Sequence, residues 1–139
     1  MASSSFNQRT LQQPVHCQGV GLHSGAPVHV SLLPAPVNHG IVFVRTDTPR
    51  PVVLPALSEY VVDTSLATTL GRDGVKVSTV EHLMAALAGM GLDNVRVELD
   101  GPEVPIMDGS AAPFAALIAE AGLREQEEAR RVLVLKKTV

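Results

Sequence analysis

Short apolar runs with the properties of β-strands dominate the first half of the chain. Residues 28–33 lie between two prolines, and residues 41–44 are entirely apolar and mostly β-branched, so both runs are predicted to be strands. Residues 52–54 are surrounded by further prolines, which predicts an edge strand or a connector. A Thr- and Leu-rich stretch follows and stops at the turn sequence of residues 71–74.

The apolar period then changes to that of an α-helix. Apolar residues recur three and four positions apart over residues 80–88, and Gly89 and Gly91 predict the end of this helix. Ser78, with Glu81 three residues later, predicts a capping box at its start. The first helix is therefore expected to begin directly after Ser78.

A half-buried strand and a second helix are predicted next. Residues 95–99 alternate between apolar and charged side chains, which is typical of a strand with one buried face. Ser110 is predicted to cap a helix whose apolar face includes Phe114 and Ile118 and which ends at Gly122.

The end of the chain is predicted to be a charged connector over residues 124–131 and a strand over residues 132–135. Together, the order is several strands, a helix, a strand, a helix and a strand. This order predicts an α+β fold, with a mixed β-sheet and two α-helices packed on one of its faces.

Composition narrows the class of protein. With 139 residues, of which 45% are hydrophobic, the chain can form one globular domain with a core. A net charge of −3 without a dense run of Lys or Arg argues against a nucleic-acid partner. No apolar run reaches the roughly 18 residues of a membrane-spanning helix, so no transmembrane segment is expected.

The first residues and the single cysteine of the chain indicate the cellular compartment of the protein. Residues 1–7 are polar, lack the pattern of a signal peptide and are predicted to be disordered. Cys17 has no second cysteine with which to form an intramolecular disulfide, which favours a reducing compartment. The predicted location is therefore cytoplasmic.

The neighbours Glu81 and His82 are the leading candidates for chemistry. They could be a general base beside a metal ligand, or a capping residue beside an ordinary imidazole, and spacing alone favours the second interpretation. The pair is not the His-Glu-x-x-His zinc motif, since Glu precedes His and Ala86 lies four residues after His82. One imidazole cannot hold a catalytic zinc ion, which normally takes three protein ligands.

A glycine-rich stretch, residues 19–25, first suggests a dinucleotide-binding loop. A strand pattern follows it instead of the helix that would hold a pyrophosphate, so that interpretation is rejected. The stretch is predicted to be a twisted or bulged hairpin in which glycine permits unusual backbone angles. Asp108 and Gly109 are predicted to form a turn, without a functional role for Asp108.

Taken together, several stretches resemble one family. They are residues 8–11, 19–25, 78–83, 86–94 and 102–114, and they occur in the family's order and approximate spacing. The family is the UDP-3-O-acyl-N-acetylglucosamine deacetylases, which are zinc amidases of lipid A biosynthesis. Several long blocks in order make the resemblance far more specific than a single short motif.

The resemblance implies a site shared between two α+β domains. It implies that His82 is a zinc ligand, that Glu81 is the general base, and that Leu22 and His23 lie near the substrate channel. It also implies that the remaining zinc ligands, a His and an Asp, belong to a second domain that this chain lacks. Ala67 lies where family members commonly carry a Cys, which is not a zinc ligand.

On this basis the chain is expected to be the N-terminal half of the deacetylase. Residues 8–124 would form the N-terminal domain, and residues 125–139 a connector and the first strand of the missing domain. The full enzyme would hydrolyse the acetamide of UDP-3-O-acyl-N-acetylglucosamine, and the isolated chain would be inactive. Two alternatives remain: a non-catalytic binding module of the same fold, and an enzyme completed by a separate chain.

Overall fold

The computed structural model describes residues 6–139, which contain ten strands and two α-helices. The strands are β1 (Asn7–Leu11), β2 (Val15–Val20), β3 (Pro27–Pro34), β4 (Ile41–Arg45), β5 (Val52–Pro55), β6 (Val61–Asp63), β7 (Thr69–Arg72), β8 (Val75–Ser78), β9 (Val95–Leu99) and β10 (Leu123–Ala129). The helices are α1 (Glu81–Gly89) and α2 (Ala112–Ala121), and a 3₁₀ turn covers Ser58–Tyr60.

The main sheet has five strands in the order β2-β3-β9-β4-β5. Strands β4 and β9 are parallel, and every other pair in this sheet is antiparallel, so the sheet is mixed as predicted. Strand β5 lies at its edge, which agrees with the prolines around it. A second, antiparallel sheet has the order β6-β7-β8.

The core lies between one face of the main sheet and the two helices. In β9, the residues at alternate positions are buried, as the apolar and charged alternation predicted. The largest fully buried side chains of the core include Leu32, Phe43, Leu54, Leu83, Leu87, Leu99, Phe114 and Ile118. Each contributes about 1.5–3 kcal/mol through burial, so this layer holds both helices against the sheet and confirms the α+β prediction.

Helix α1 begins without the predicted capping box. Ser78 ends β8, and the residue before the helix, Val80, makes no side-chain cap. The Ser78 hydroxyl accepts a hydrogen bond from the Thr69 hydroxyl, and Glu81 Oε2 accepts one from Thr68 N–H at 2.9 Å. The capping prediction is wrong because Thr69 of β7 and Thr68 in the loop before β7 form hydrogen bonds with these two side chains.

Helix α2 agrees with the prediction at its end and differs slightly at its start. Gly122 follows the helix with φ of 78°, a conformation that glycine adopts at little cost. The Ser110 hydroxyl accepts a hydrogen bond from Ala112 N–H at 3.2 Å, although Ala111 occupies the position before the helix. Asp108 accepts hydrogen bonds from both the N–H and the hydroxyl of Ser110.

Both secondary-structure predictions for the chain end are wrong, whereas the division into a domain over residues 8–124 and a connector beyond it stays a prediction. Most of the supposed connector is strand β10, which pairs antiparallel with β1, so the proposed boundary at residue 124 falls inside a strand. Residues 132–135 form no strand, because no partner strand pairs with them within the described residues, and Leu133 is 91% exposed. The start of the expected disordered segment, residues 1–5, lies outside the described residues, and Asn7 already belongs to β1.

A buried amide network fastens β1 and β10 to the rest of the fold. Asn94 is 1% exposed, and its amide donates to the side-chain oxygens of Gln8 and Gln126, both at 2.8 Å. Its own oxygen accepts from Gly40 N–H at 2.8 Å. Gln126 in turn donates to the carbonyl of Ala35. We name these side chains, Gln8, Asn94 and Gln126, the amide network.

Neither α1 nor α2 has the length and apolar character needed to cross a bilayer, and the described residues include no other α-helix.

Candidate active site

Three segments meet beside the start of α1: the turn between β2 and β3, the junction between β8 and α1, and the loop of residues 101–109. Ser78 donates its N–H to Pro102 O and accepts at its own carbonyl from Val104 N–H. Ile106 N–H donates to Val20 O at 3.0 Å. The loop is therefore bonded to both other segments, and it carries the most deeply buried carboxylate of the neighbourhood.

That carboxylate belongs to Glu103, which is 2% exposed. Oε1 accepts from the N–H groups of His23 and Ser24 at 3.0 and 2.8 Å, and Oε2 accepts from the Thr79 hydroxyl at 2.6 Å. Burial alone would raise its pKa, but these hydrogen bonds hold the pKa below the ordinary value of 4.5. Glu103 therefore stays ionised at neutral pH and joins the turn to the residue two positions before Glu81.

Two glycines make this contact possible. A Cβ on Gly21 would lie 2.3 Å from Glu103 Oε1, and a Cβ on Gly19 would lie 2.8 Å from the Pro105 Cβ. Only Gly25 in this stretch has a positive φ, and β2 and β3 pair in regular register. The prediction of a twisted or bulged hairpin is confirmed as a hairpin, and the regular register excludes the bulged alternative. Gly25 has the unusual backbone angle, whereas Gly19 and Gly21 permit close packing.

Two residues near the candidate pair have backbone angles that are rare for their type. Thr79 has φ of 60° and Met107 has φ of 55°. For a β-branched or bulky side chain the left-handed region costs on the order of 1–3 kcal/mol, and such residues concentrate at functional sites. Thr79 is held there by its hydroxyl bond to Glu103 and by its N–H, which donates to Thr68 O.

Glu81 and His82 lie side by side in the first turn of α1. Glu81 is exposed, with Oε2 bonded to Thr68 N–H, while Oε1 has no partner within the described residues. His82 is half-buried, and its ring forms no hydrogen bond to another described residue. The Asp108 pKa is lowered chiefly by hydrogen bonds from Ser110 and to a smaller extent by the charge of His82. Sequence reasoning assigned no role to Asp108, which lies 26 positions after His82 along the chain.

His23 and Leu22 occupy the turn that Glu103 holds. His23 lines a cavity of about 230 Å³, whose wall also includes Ser65, Ala67 and Glu103. Leu22 is 57% exposed. Glu81 faces a second, mostly apolar depression of about 250 Å³ beside Met84. The fold thus brings the turn close to the Glu81–His82 pair without placing all four side chains in one cavity.

The donor set fits part of a metal site. No group of three His, Cys, Asp or Glu side chains between residues 6 and 139 is arranged to hold a metal ion. His82 offers a ring that other described residues leave free, and the carboxylate of Glu81 is adjacent to it in the chain. A catalytic zinc ion normally takes three protein ligands, so this chain offers one imidazole of such a set.

The arrangement suits acid–base chemistry on water. Glu81 combines one oxygen anchored by Thr68 N–H with a second that can accept a proton. The imidazole of His82 is adjacent to Glu81 in the chain. Glu81 and His23 each line one of the two cavities described above. The fold and site therefore define a class of α+β domain whose candidate catalytic groups lie at the start of a helix.

Comparison with known proteins names the family. The model of the LpxC family, described as UDP-3-O-acyl N-acetylglycosamine deacetylase, matches residues 8–139. A UDP-3-O-acyl-N-acetylglucosamine deacetylase of Myxococcus xanthus is 74% identical over 139 residues, which is all of this chain and 44% of the relative. The deacetylase of Anaeromyxobacter dehalogenans is 56% identical over 136 residues, or 98% of this chain and 44% of the relative.

This chain belongs to the UDP-3-O-acyl-N-acetylglucosamine deacetylase family, which confirms the resemblance stated from its motifs. The chain spans less than half the length of the curated relatives that it matches. It therefore corresponds to one half of a family deacetylase.

Proposed function

We propose that this chain forms the N-terminal part of a zinc-dependent hydrolase that removes the acetyl group from UDP-3-O-acyl-N-acetylglucosamine. The family match over residues 8–139 carries the proposal. We also propose that the isolated chain is inactive, because a catalytic zinc ion needs more protein ligands than the single imidazole of His82. The missing ligands would come from the second half, and the cytoplasmic location inferred from sequence stays a prediction.

In the proposed mechanism His82 is one zinc ligand and Glu81 is the general base. Bound zinc would lower the pKa of a water molecule and polarise the amide carbonyl. Glu81 Oε1 accepts a proton from the attacking water and later delivers it to the leaving nitrogen, so that the amide yields acetate and an amine. Thr68 N–H orients the carboxylate by holding Oε2, which leaves Oε1 for proton transfer.

The turn has a separate role in the proposal. Leu22 and His23 would contact the substrate from the turn between β2 and β3. His23 lines the cavity next to the site, and Leu22 presents an exposed apolar side chain. Their proposed contribution is to binding and orientation rather than to proton transfer.

The test uses the full-length protein that carries this chain. We expect Glu81→Gln to lower kcat for acetate release by about 10²–10⁴-fold, with zinc content and unfolding midpoint unchanged, because the exposed side chain contributes base chemistry and little packing. We expect His82→Ala to lose bound zinc. The exposed His16 provides the control, since His16→Ala should change neither quantity.

Two results would contradict the proposal. Full activity in the Glu81→Gln protein would exclude Glu81 as the base, and full zinc content in the His82→Ala protein would exclude His82 as a ligand. Tight stoichiometric zinc binding or acetate release by the 139-residue chain alone would show that it holds further ligands.

A further inference from the structure

The buried carboxylate of Glu103 takes no part in the proton transfer proposed above. It is nevertheless the point at which two separate segments of the site are joined. His23 and Ser24 precede it by 80 and 79 positions, and Thr79 precedes it by 24. Burying a carboxylate is costly unless hydrogen bonds compensate it, so this location calls for an explanation.

We propose that Glu103 is a positioning residue, which holds the turn bearing Leu22 and His23 in register with the Glu81–His82 pair. The inference rests on the proposed function and adds a residue to it. The connection to the pair is short, because Thr79 lies two positions before Glu81 in the chain. A shift of the Thr79 hydroxyl therefore shifts the first turn of α1 relative to the substrate-binding turn.

The chemistry of the contact explains why a carboxylate occupies this position. Two backbone N–H groups and one hydroxyl point to it, and an ionised carboxylate is an acceptor on both oxygens. The absence of a side chain on Gly21 leaves room for it. Thr79 keeps a rare backbone angle there, which persists only when surrounding bonds determine it.

The first test varies Glu103 in the full-length protein. Glu103→Ala removes the acceptor of three donors, and we expect kcat/KM for deacetylation to fall at least about tenfold, because small misplacements of catalytic groups are costly. Glu103→Gln can still satisfy these partners: its oxygen can accept from the two N–H groups, and its amide can donate to the Thr79 hydroxyl. We therefore expect the Gln variant to stay within about threefold of the parent.

A second pair of variants guards against misfolding of Glu103→Ala. Thr79→Val keeps the branched shape and removes the hydroxyl, whereas Thr79→Ser keeps the hydroxyl. We expect Val to lower kcat/KM and Ser to preserve it. Ile118→Val in the core of α2 is the control for lost stability, since it should lower the unfolding midpoint and leave kcat/KM unchanged.

A measurement other than activity reports directly on the turn that contains His23 and Ser24. Hydrogen exchange at the His23 and Ser24 amides, resolved by NMR, should accelerate in Glu103→Ala and stay near the parent rate in Glu103→Gln. Unchanged exchange in Glu103→Ala would overturn the contact. Accelerated exchange with kcat/KM within about twofold of the parent would overturn the positioning role.

The two proposals fail in different ways. If the parent protein releases no acetate, the proposed function is wrong, while the exchange measurement still decides whether Glu103 holds the turn. If the parent is active and depends on Glu81, but neither Glu103→Ala nor Thr79→Val lowers kcat/KM, the positioning role alone is wrong.

Discussion

Two buried polar clusters lie in different parts of this fold and differ in chemistry. The amide network joins β1 and β10 to the main sheet through neutral side chains that both donate and accept. The cluster around Glu103 contains an ionised carboxylate, bonded only to donors, next to a residue with φ of 60°. Both clusters satisfy their hydrogen bonds, but only the second combines charge, strain and proximity to the candidate catalytic pair.

The difference suggests that the clusters serve different ends. A satisfied neutral network helps to specify a unique fold. Two partners of the amide network also have positive φ, Asn38 with 63° and Gly40 with 76°, but Asn and Gly adopt this region at lower cost than the β-branched Thr79. A buried charge with a strained neighbour contributes less to stability and is typical of sites where geometry matters for function. The amide network should therefore govern stability, and the Glu103 cluster should govern activity.

The largest expected effect is on stability, from Asn94→Ala. The change leaves the side-chain oxygen of Gln126 without its donor and Gly40 N–H without its acceptor. It also removes one of the two donors to the Gln8 oxygen, which still accepts from Asn38 N–H, so the free energy of unfolding should fall by about 3 kcal/mol. Urea denaturation measures this loss. At a temperature where the variant is fully folded, kcat should match the parent, and a large loss of kcat would break the distinction between the clusters.

The second expected effect is on activity, from Gly21→Ala. Its Cβ would lie 2.3 Å from Glu103 Oε1 and must displace the carboxylate or the turn, so kcat/KM should fall about tenfold. Gly25→Ala is the matched control: it strains a positive φ of 65° but meets no atom within 4 Å. That control should cost about 1 kcal/mol of stability and little activity. Equal activity losses in both variants would assign the effect to general strain in the turn.

The smallest expected effect concerns pH. The Glu103 pKa is lower in the folded chain than in the unfolded one, so its stabilisation is complete above the unfolded pKa and is lost as the pH falls through the folded pKa. Glu103→Gln removes this contribution. Its free energy of unfolding should therefore fall less steeply than that of the parent on acidification below about pH 4.5.

Calorimetry over this acid range provides the measurement. The variant should keep some acid sensitivity, because Asp47, Asp63, Asp100 and Asp108 also have lowered pKa values. Asn94→Ala, at the neutral cluster, should shift the whole curve without changing its slope. A parent and Glu103→Gln variant with identical slopes would show that the carboxylate is not preferentially stabilised in the folded chain.

Prediction from sequence succeeded where the residues of one segment are enough to predict its secondary structure. The alternation of residues 95–99, the helical period before Gly89 and the glycine at position 122 each predict an element that the structure contains. Prediction failed where a distant segment competes for the same groups. Ser78 and Glu81 form no capping box, because Thr69 and Thr68 lie within hydrogen-bond distance of their side chains.

The same reason explains the errors at the chain end. The charged sequence of β10 resembles a solvated connector, yet Gln126 reaches the amide network and the strand pairs with β1, more than 110 positions earlier. Residues 132–135 have strand-like side chains but no strand beside them in the described part of the chain. Strand formation requires a partner, and local sequence does not supply one.

By itself, the sequence determined the α+β class, the elements with a clear apolar period and, through its motifs, the deacetylase family. Only the tertiary structure decided that Glu103 joins the His23 turn to Thr79, and that Gly19 and Gly21 allow close approach of other segments. Periodicity and motifs are properties of neighbouring residues. A buried carboxylate, in contrast, acquires its partners only when segments far apart in the chain are brought together.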